Sequence, residues 1–149
     1  MTDAEVLTLA LEEARAGAVA GEVPVGAIVV ENGVVIGRGQ NRVLRDLDPT
    51  AHAEIVALRE AARTLGNYRL AGCELFVTLE PCAMCAGAMI HARLSRLIYA
   101  AADPKAGAVS SVLEVLNHPR LNHQMIVTSG ELAEESGELL RSFFRQRRT

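Results

Sequence analysis

Hydrophobic and polar positions follow a helical period at the start of the chain and a strand period directly after it. After a capping box at residues 2–5, apolar residues keep helical spacing to about Ala18. Two β-rich runs, 25–30 and 34–38, are joined by Asn32-Gly33, which is a strong signal for a tight hairpin turn. The chain is therefore predicted to begin with a helix and to continue into two antiparallel strands.

The remainder of the chain predicts helices and strands in alternation. Helix-start residues at 48–50 precede an amphipathic stretch, 52–65, whose apolar residues recur at helical spacing. Because parallel strands need crossover helices, this order predicts one α/β domain over residues 1–149, a three-layer α/β/α sandwich with a five-stranded mixed sheet and five helices. The other predicted strands are 74–78, 96–100 and 125–127, and the other predicted helices are 82–91, 112–116 and 131–148.

Composition narrows the class of protein without assigning a function. Half of the 149 residues are hydrophobic, yet only 3% are aromatic and none is Trp, so the core is predicted to be aliphatic. No apolar run approaches the length of a membrane span and the N-terminus is acidic, which predicts a cytoplasmic protein. Of the three cysteines, two belong to the motif described next, so Cys73 is predicted to be a buried thiol outside any disulfide.

The candidate chemistry lies in two short motifs, each at the start of a predicted helix. They are His52-Ala53-Glu54 and the Cys-x-x-C pair Cys82 and Cys85, which follows a proline. A structural zinc site is normally closed by four protein ligands, whereas a catalytic site has three and leaves the fourth position to water. Three ligands are available here, His52, Cys82 and Cys85. The order H-x-E then P-C-x-x-C is the signature of the zinc-dependent nucleobase deaminases.

Glu54 is the candidate catalytic base because it follows a ligand by two positions and is not needed in the metal shell. Two thiolates and a neutral imidazole leave a Zn²⁺ centre formally uncharged. Such a centre lowers the pKa of its bound water less than a Zn²⁺ ion bound by three histidines does, so a protein base is needed. Residues i and i+2 do not face each other on a regular helix. We therefore expect His52 to lie at a non-helical position just before the helix.

Each motif has an alternative interpretation. A lone Cys-x-x-C is more often a structural or redox pair, and His-Ala-Glu occurs by chance at many helix starts. The two motifs together, in this order, favour a catalytic zinc site. Glu80 is predicted to do no more than cap the helix that carries the cysteines. The other histidines are predicted to satisfy local hydrogen bonds rather than to bind metal, namely His91, His118 and His123.

Segments over nearly the whole chain carry a resemblance to one family. The chain resembles the bacterial tRNA-specific adenosine deaminases, which have the cytidine deaminase-like zinc fold. The zinc motif is shared by the whole superfamily, and the later segments separate this group from relatives that act on free bases or nucleotides. The segments are 22–27, 37–41, 52–55, 67–70, 78–91, 103–107, 117–123 and 143–145.

The resemblance implies hydrolytic deamination of adenosine to inosine at the wobble position of a tRNA anticodon, in bacteria typically an arginine tRNA. It implies one Zn²⁺ per chain, which activates a water molecule, with Glu54 as the proton shuttle. Members of the family are homodimers that contact RNA from both subunits. Asn41 would hold the base through its amide, and the pocket would be lined by Val25, Leu79 and Pro81 with the backbone near Ala53.

The candidate RNA contacts come from a loop and from the last helix. Asp103 could accept from a ribose 2′-OH and Lys105 could meet a phosphate, although a solvated turn would contain the same residues. On the last helix Phe144, Arg145 and Arg148 could stack and bind phosphate. The same helix begins with acidic residues and ends with basic ones, and this arrangement also stabilises any helix through its dipole, without RNA.

Two other functions remain open from the sequence. A deaminase of a free base or nucleoside, of the guanine or cytosine type, would share the zinc site and differ in the pocket and the C-terminal region. A non-catalytic, zinc-stabilised RNA-binding module would share the ligands but would have no use for the Glu54 carboxylate. Glu54 therefore discriminates between the second alternative and an enzyme.

Overall fold

The computed structural model describes residues 1–147, and these form an α/β fold. The capping box predicted at the first helix is present, because Thr2 accepts from the Glu5 N–H while the Glu5 carboxylate accepts from the Thr2 N–H. The elements in chain order are α1 (Asp3–Val19), β1 (Gly26–Glu31), β2 (Val34–Gln40), α2 (Ala53–Leu65), β3 (Cys73–Leu79), α3 (Ala83–Ala92), β4 (Arg96–Ala101), β5 (Ile126–Ser129) and α4 (Ala133–Arg147).

The strands form one five-stranded mixed sheet, as the sequence predicts, and their order in the sheet is β2-β1-β3-β4-β5. β1 is antiparallel to both β2 and β3, whereas β3, β4 and β5 are parallel. Asn32 and Gly33 in the β1–β2 turn both have positive φ, 49° and 77°, which a tight hairpin turn of this kind requires.

Helices cover both faces of the sheet and complete the three-layer sandwich. Alternate strand residues point to opposite faces, so the buried side chains fall into two apolar clusters. The larger cluster joins α2 and α3 to one face, and the smaller one joins α1 to the other. α4 contacts α1, β3 and β4. None of the helices described for residues 1–147 is long and apolar enough to cross a membrane.

Two glycines of β2 bring the start of α2 against the sheet. A Cβ added to Gly39 would lie 2.2 Å from the Ala53 carbonyl oxygen, and one added to Gly37 would lie 2.4 Å from that of Ala57. Side chains at either position would push the helix away. The close approach therefore fixes the first turn of α2, which carries Glu54.

The prediction of a helix over 112–116 is wrong, so residues 1–147 contain four helices. The Val112 N–H bonds to the Gly107 carbonyl and the Val115 N–H to the Ala108 carbonyl, whereas an α-helix would need the carbonyls four residues back. Val112 and Leu113 remain half exposed. Cys73 is a buried free thiol, as predicted, and Arg148 lies outside the described residues.

Candidate metal centre and substrate pocket

The two sequence motifs meet at the carboxyl end of β3, on the side of the sheet covered by α2 and α3. Open α/β sheets bind their ligands at the carboxyl ends of the parallel strands. Cys82 and Asp103 follow the ends of β3 and β4, and Val25 immediately precedes the antiparallel β1. The sheet therefore brings segments from distant parts of the chain to one edge.

His52 and Cys82 are the N-cap residues of α2 and α3, and Cys85 lies in the first turn of α3. Both caps are extended, with φ/ψ of −69°/156° for His52 and −76°/176° for Cys82. The expectation that His52 precedes the helix is therefore confirmed. The His52 Nδ1 atom lies 3.6 Å from each of the two Sγ atoms. All three ligand atoms lie within 4.8 Å of one another.

This spacing fits a tetrahedral zinc shell. With Zn–S near 2.3 Å and Zn–N near 2.05 Å, a tetrahedral angle separates the nitrogen from each sulfur by about 3.6 Å. The observed Nδ1–Sγ distances are both 3.6 Å. In the described part of the chain, this is the one cluster of His, Cys, Asp or Glu atoms close enough to share an ion. Three protein ligands leave one position of a tetrahedral shell open.

The electrostatics of the two thiols also favour a bound cation. A hydrogen bond from Cys85, helped by one with His52, lowers the pKa of Cys82 to about 3. The pKa of Cys85 is raised, first by its hydrogen bond to Cys82 and then by burial. The chain alone therefore ionises one thiol at the expense of the other. A divalent cation between them would remove the repulsion and stabilise both thiolates.

Glu54 is buried in the first turn of α2, with only 4% of its surface exposed. Burial raises the pKa of its carboxyl to about 7, although a backbone hydrogen bond and the charge of His52 oppose that effect. A neighbouring cation would bring the value down again. A carboxyl with a pKa near the working pH is suited to both accept and release protons.

Two of the three candidate ligands, His52 and Cys82, open onto a cavity of about 570 Å³. Among the sequence-predicted residues, Val25, Asn41 and Leu79 line it together with His52, Glu54 and Cys82. Ala53 and Pro81 are buried beside this cavity without lining it. The sequence does not assign the other lining residues to the pocket; they are Gly21, Glu22, Val23, Val43, Leu44, Glu80, Ala106, Phe143 and Arg147.

The Asn41 amide ties the end of β2 to the start of α2. Its Oδ1 accepts from the Ala53 N–H at 2.8 Å, and its Nδ2 donates to the Val23 carbonyl at 3.1 Å. An amide has two N–H groups and two acceptor lone pairs, so one of each remains for a ligand. Asn41 lines the pocket and can therefore hold a base while it also positions the helix that carries Glu54.

Glu22 fixes the rim of the pocket formed by the residues after β2. Its carboxylate is 1% exposed and accepts from the Leu44 N–H, the Arg45 N–H and the Arg45 Nε. Burial alone would raise the pKa of Glu22, but these hydrogen bonds outweigh it and the pKa is lowered. Its partners follow it by more than twenty residues, so no local sequence pattern indicates this role.

Glu80 does not cap α3, and this prediction is wrong. The carboxylate is buried and accepts from residues of the loop after β4, residues 103–111. Burial opposes its ionisation, yet the hydrogen bonds hold the pKa of Glu80 at about 2. The prediction of a local hydrogen bond is confirmed for His118, which accepts from the Arg120 N–H, whereas His123 pairs with the Leu94 carbonyl 29 residues away.

A second groove, of about 700 Å³, adjoins the pocket and contains four of the five candidate RNA contacts. Lys105, Phe144 and Arg145 line it, and Asp103 and Leu79 lie on both the groove and the pocket. Asp103 also accepts from the Lys105 and Ala106 N–H groups, as in a solvated turn.

The last turns of α4 contribute side chains to both cavities. Phe144 is 45% exposed, whereas the Arg145 guanidinium is paired with Glu138 at 2.8 Å. Arg147 stacks over the Phe143 ring at 4.6 Å, and both line the main pocket. The described part of α4 therefore presents the Arg147–Phe143 pair to the pocket and the Phe144 ring, which contacts Phe143 edge to face, to the groove.

Comparison with known proteins agrees with this geometry. A family model described as MafB19-like deaminase matches residues 1–148. A tRNA-specific adenosine deaminase of Haemophilus influenzae is 47% identical over 98% of this chain and 85% of its own length. A solved structure of a tRNA:A34 deaminase, which carries out A-to-I editing at the wobble position of transfer RNA, is 48% identical with a TM-score of 0.88. That alignment covers 91% of this chain and 99% of the other.

A free-base deaminase is also similar, at a greater distance. A guanine deaminase from Nitrosomonas europaea is 31% identical, with a TM-score of 0.80, over 94% of this chain and 83% of its own. The fold is therefore common to enzymes with different substrates. The residues around the metal centre must decide between them.

Proposed function

This chain belongs to the MafB19-like deaminase family, and we propose that it hydrolytically deaminates adenosine to inosine at the wobble position of a tRNA anticodon. The observation that carries the proposal is the three-ligand centre with Glu54 beside it, in a chain nearly half identical to tRNA adenosine deaminases. A structural site would normally be closed by a fourth protein ligand. The buried Glu54 also disfavours a non-catalytic module, because it serves no ligand role.

We propose one Zn²⁺ per chain, held by His52, Cys82 and Cys85. The 3.6 Å separations and the two thiol sulfurs support this choice of metal. Bound there, zinc supplies Lewis-acid activation of a water molecule.

Glu54 carries the protons of the reaction in this proposal. Its carboxylate takes a proton from the water that attacks C6 of adenine and delivers it to N1. It then takes the remaining proton of that water and gives it to the departing amine, so that ammonia leaves and inosine remains. The first turn of α2 holds Glu54 two residues from the ligand His52, so both functions are positioned by one helix start.

The pocket walls would orient the base. Val25 and Leu79 offer apolar surface to the flat adenine ring, and the Asn41 amide offers the polar contact at its edge. Ala53 donates its N–H to Asn41 and so fixes that amide, and Pro81 is a buried residue between the lining residues Glu80 and Cys82. These assignments place the reacting ring between the metal ligands and the rim held by Glu22.

The adjoining groove supports an RNA substrate over a free base. A free base fills the pocket alone, whereas a nucleotide in a stem-loop continues into the surroundings. Asp103 would accept from a ribose 2′-OH, Lys105 and Arg145 would meet phosphates, and Phe144 would stack on a neighbouring base. Arg148, outside the described residues, is a further candidate phosphate contact. We further propose an arginine tRNA as the substrate, a homodimeric enzyme and a cytoplasmic site of action.

The test is to incubate the purified protein with total bacterial tRNA and to sequence the products for adenosine-to-inosine changes. The proposal predicts conversion confined to position 34 of tRNAs that carry adenosine there. Turnover of guanine or of a free nucleoside, with all tRNAs unchanged, would favour the free-base alternative.

A further inference from the structure

Glu80 is a buried carboxylate outside the proposed reaction, and all its partners lie in the 103–111 loop. Its Oε1 accepts from the Asp103 N–H at 3.0 Å and from the Ser111 hydroxyl. Its Oε2 accepts from the N–H groups of Val109, Ser110 and Ser111 at 2.9–3.1 Å. Hydrogen bonds to an ionised acceptor are the strong ones. One side chain therefore organises both ends of the loop.

The loop approaches Glu80 so closely at Gly107 that no side chain fits at that position. A Cβ added to Gly107 would lie 2.4 Å from the Glu80 Cδ atom. Two backbone bonds reinforce this contact, from Glu80 to the Ala101 carbonyl and from Ala108 to the Pro81 carbonyl, both at 2.8 Å. The loop is thus fastened to the short segment that connects β3 to the metal-ligating Cys82.

The loop also supplies residues to the substrate side of the molecule. Asp103 and Ala106 line the same pocket as His52 and Glu54, and Lys105 lies on the adjoining groove. The first residue that Glu80 holds, Asp103, therefore lies at the boundary between pocket and groove. Its position relative to the metal ligands is set through Glu80.

We propose that Glu80 is a positioning residue for substrate recognition, which holds Asp103 in place to receive the RNA next to the target adenosine. The inference rests on the proposed function. Glu80 does not touch the reacting atoms, so its loss should weaken RNA binding while the chemical step on bound RNA continues.

Glu80→Gln is a selective perturbation of this arrangement. Glutamine has one acceptor oxygen, and the Oε2 position, with three N–H donors, is where that oxygen is best satisfied. The NH₂ group must then occupy the Oε1 position and face the Asp103 N–H, donor against donor. The Ser111 hydroxyl can rotate to accept. The substitution therefore releases the Asp103 end of the loop and keeps the other end attached.

Gly107→Ala perturbs the same contact from the loop side, and Gly87→Ala is its matched control. The alanine methyl at 107 would meet the Glu80 carboxyl, whereas a Cβ at Gly87 in α3 meets no atom within 4 Å. With an anticodon stem-loop as substrate, Glu80→Gln and Gly107→Ala should each raise KM about tenfold, with kcat within about twofold of wild type. Gly87→Ala should leave both constants unchanged, and all three variants should retain zinc.

A double-mutant cycle separates positioning from a general structural role. If Glu80 acts through Asp103, then Glu80→Gln should raise KM by less than about threefold when Asp103→Asn is already present. The same tenfold rise in both backgrounds, or an unchanged KM in Glu80→Gln, would overturn the inference. If Glu80→Gln does not fold, Gly107→Ala takes its place in the cycle under the same criteria. A wild-type protein that makes no inosine from any stem-loop would instead contradict the proposed function.

Discussion

Replacing Glu54 by glutamine is expected to abolish turnover while the metal centre remains assembled. A positioned general acid or base contributes typically ~10²–10⁴-fold to the rate. Glu54 carries protons both to N1 and to the departing amine. The other carboxylates among the described lining residues are Glu22, Glu80 and Asp103, and each of them already accepts hydrogen bonds from backbone N–H groups. We therefore expect kcat to fall by at least about 10⁴-fold, or about 5 kcal/mol.

The same substitution should stabilise the metal-depleted protein at high pH. Burial raises the pKa of Glu54 from 4.5 to about 7, so the folded protein binds this proton more tightly than the unfolded chain does. The ionised carboxylate thus destabilises the fold by up to roughly 3 kcal/mol above pH 7, and the penalty is absent below about pH 4.5. Glutamine carries no charge, so the metal-depleted Glu54→Gln variant should have a higher free energy of unfolding than wild type at pH 8. The difference should disappear at pH 4, and urea denaturation at the two pH values measures it.

The assay is kcat at saturating stem-loop RNA, measured with zinc content on the same preparation. Glu74→Gln is a suitable control because Glu74 lies at the opposite end of β3, where it pairs with Arg96. It should keep the wild-type kcat. A Glu54→Gln protein with full zinc and a kcat within tenfold of wild type would refute the assignment of the proton shuttle.

Three further substitutions test other parts of the site. Cys82→Ala should lose most of its zinc by elemental analysis, and full retention of metal would show that the ligand assignment is wrong. Asp103→Asn should slow deamination of an RNA hairpin more than that of its DNA counterpart, because only RNA offers the 2′-OH; an unchanged RNA-to-DNA rate ratio would assign Asp103 to an ordinary turn. Glu22→Gln should lower the free energy of unfolding by about 1–3 kcal/mol at pH 7. Because hydrogen bonds lower the pKa of Glu22, its stabilisation is present above the ordinary glutamate pKa and is lost as the pH falls through the lowered value, so urea denaturation should show the two proteins converging in acid.

Local signals in the sequence were sufficient to predict the sheet and the cluster of His52, Cys82 and Cys85. The Asn32-Gly33 turn has the positive φ angles that its residues favour, and the two ligand motifs lie at helix starts as their spacing indicates. Such features depend on residues close together in the chain. The family resemblance added the substrate, which no periodicity reveals.

Long-range partners account for what the sequence did not predict. The sequence predicts a helix over 112–116, but the preceding loop is bonded to Glu80, and the Val112 and Val115 N–H groups bond to the Gly107 and Ala108 carbonyls. Glu80 has no neighbouring signal because its partners lie 23–31 residues later. The groove shared by Lys105 and Phe144 likewise exists only once α4 packs beside the sheet.

The most direct test of the central claim is a comparison of substrates on one zinc-loaded preparation. An anticodon stem-loop with adenosine at the wobble position, free adenosine, cytidine and guanine should be assayed in parallel for ammonia release and for the deaminated product. The account predicts inosine in the stem-loop at a kcat/KM far above that for any free base or nucleoside, and none when the wobble adenosine is replaced by guanosine. Release of ammonia from guanine or cytidine, with the stem-loop adenosine intact, would contradict it.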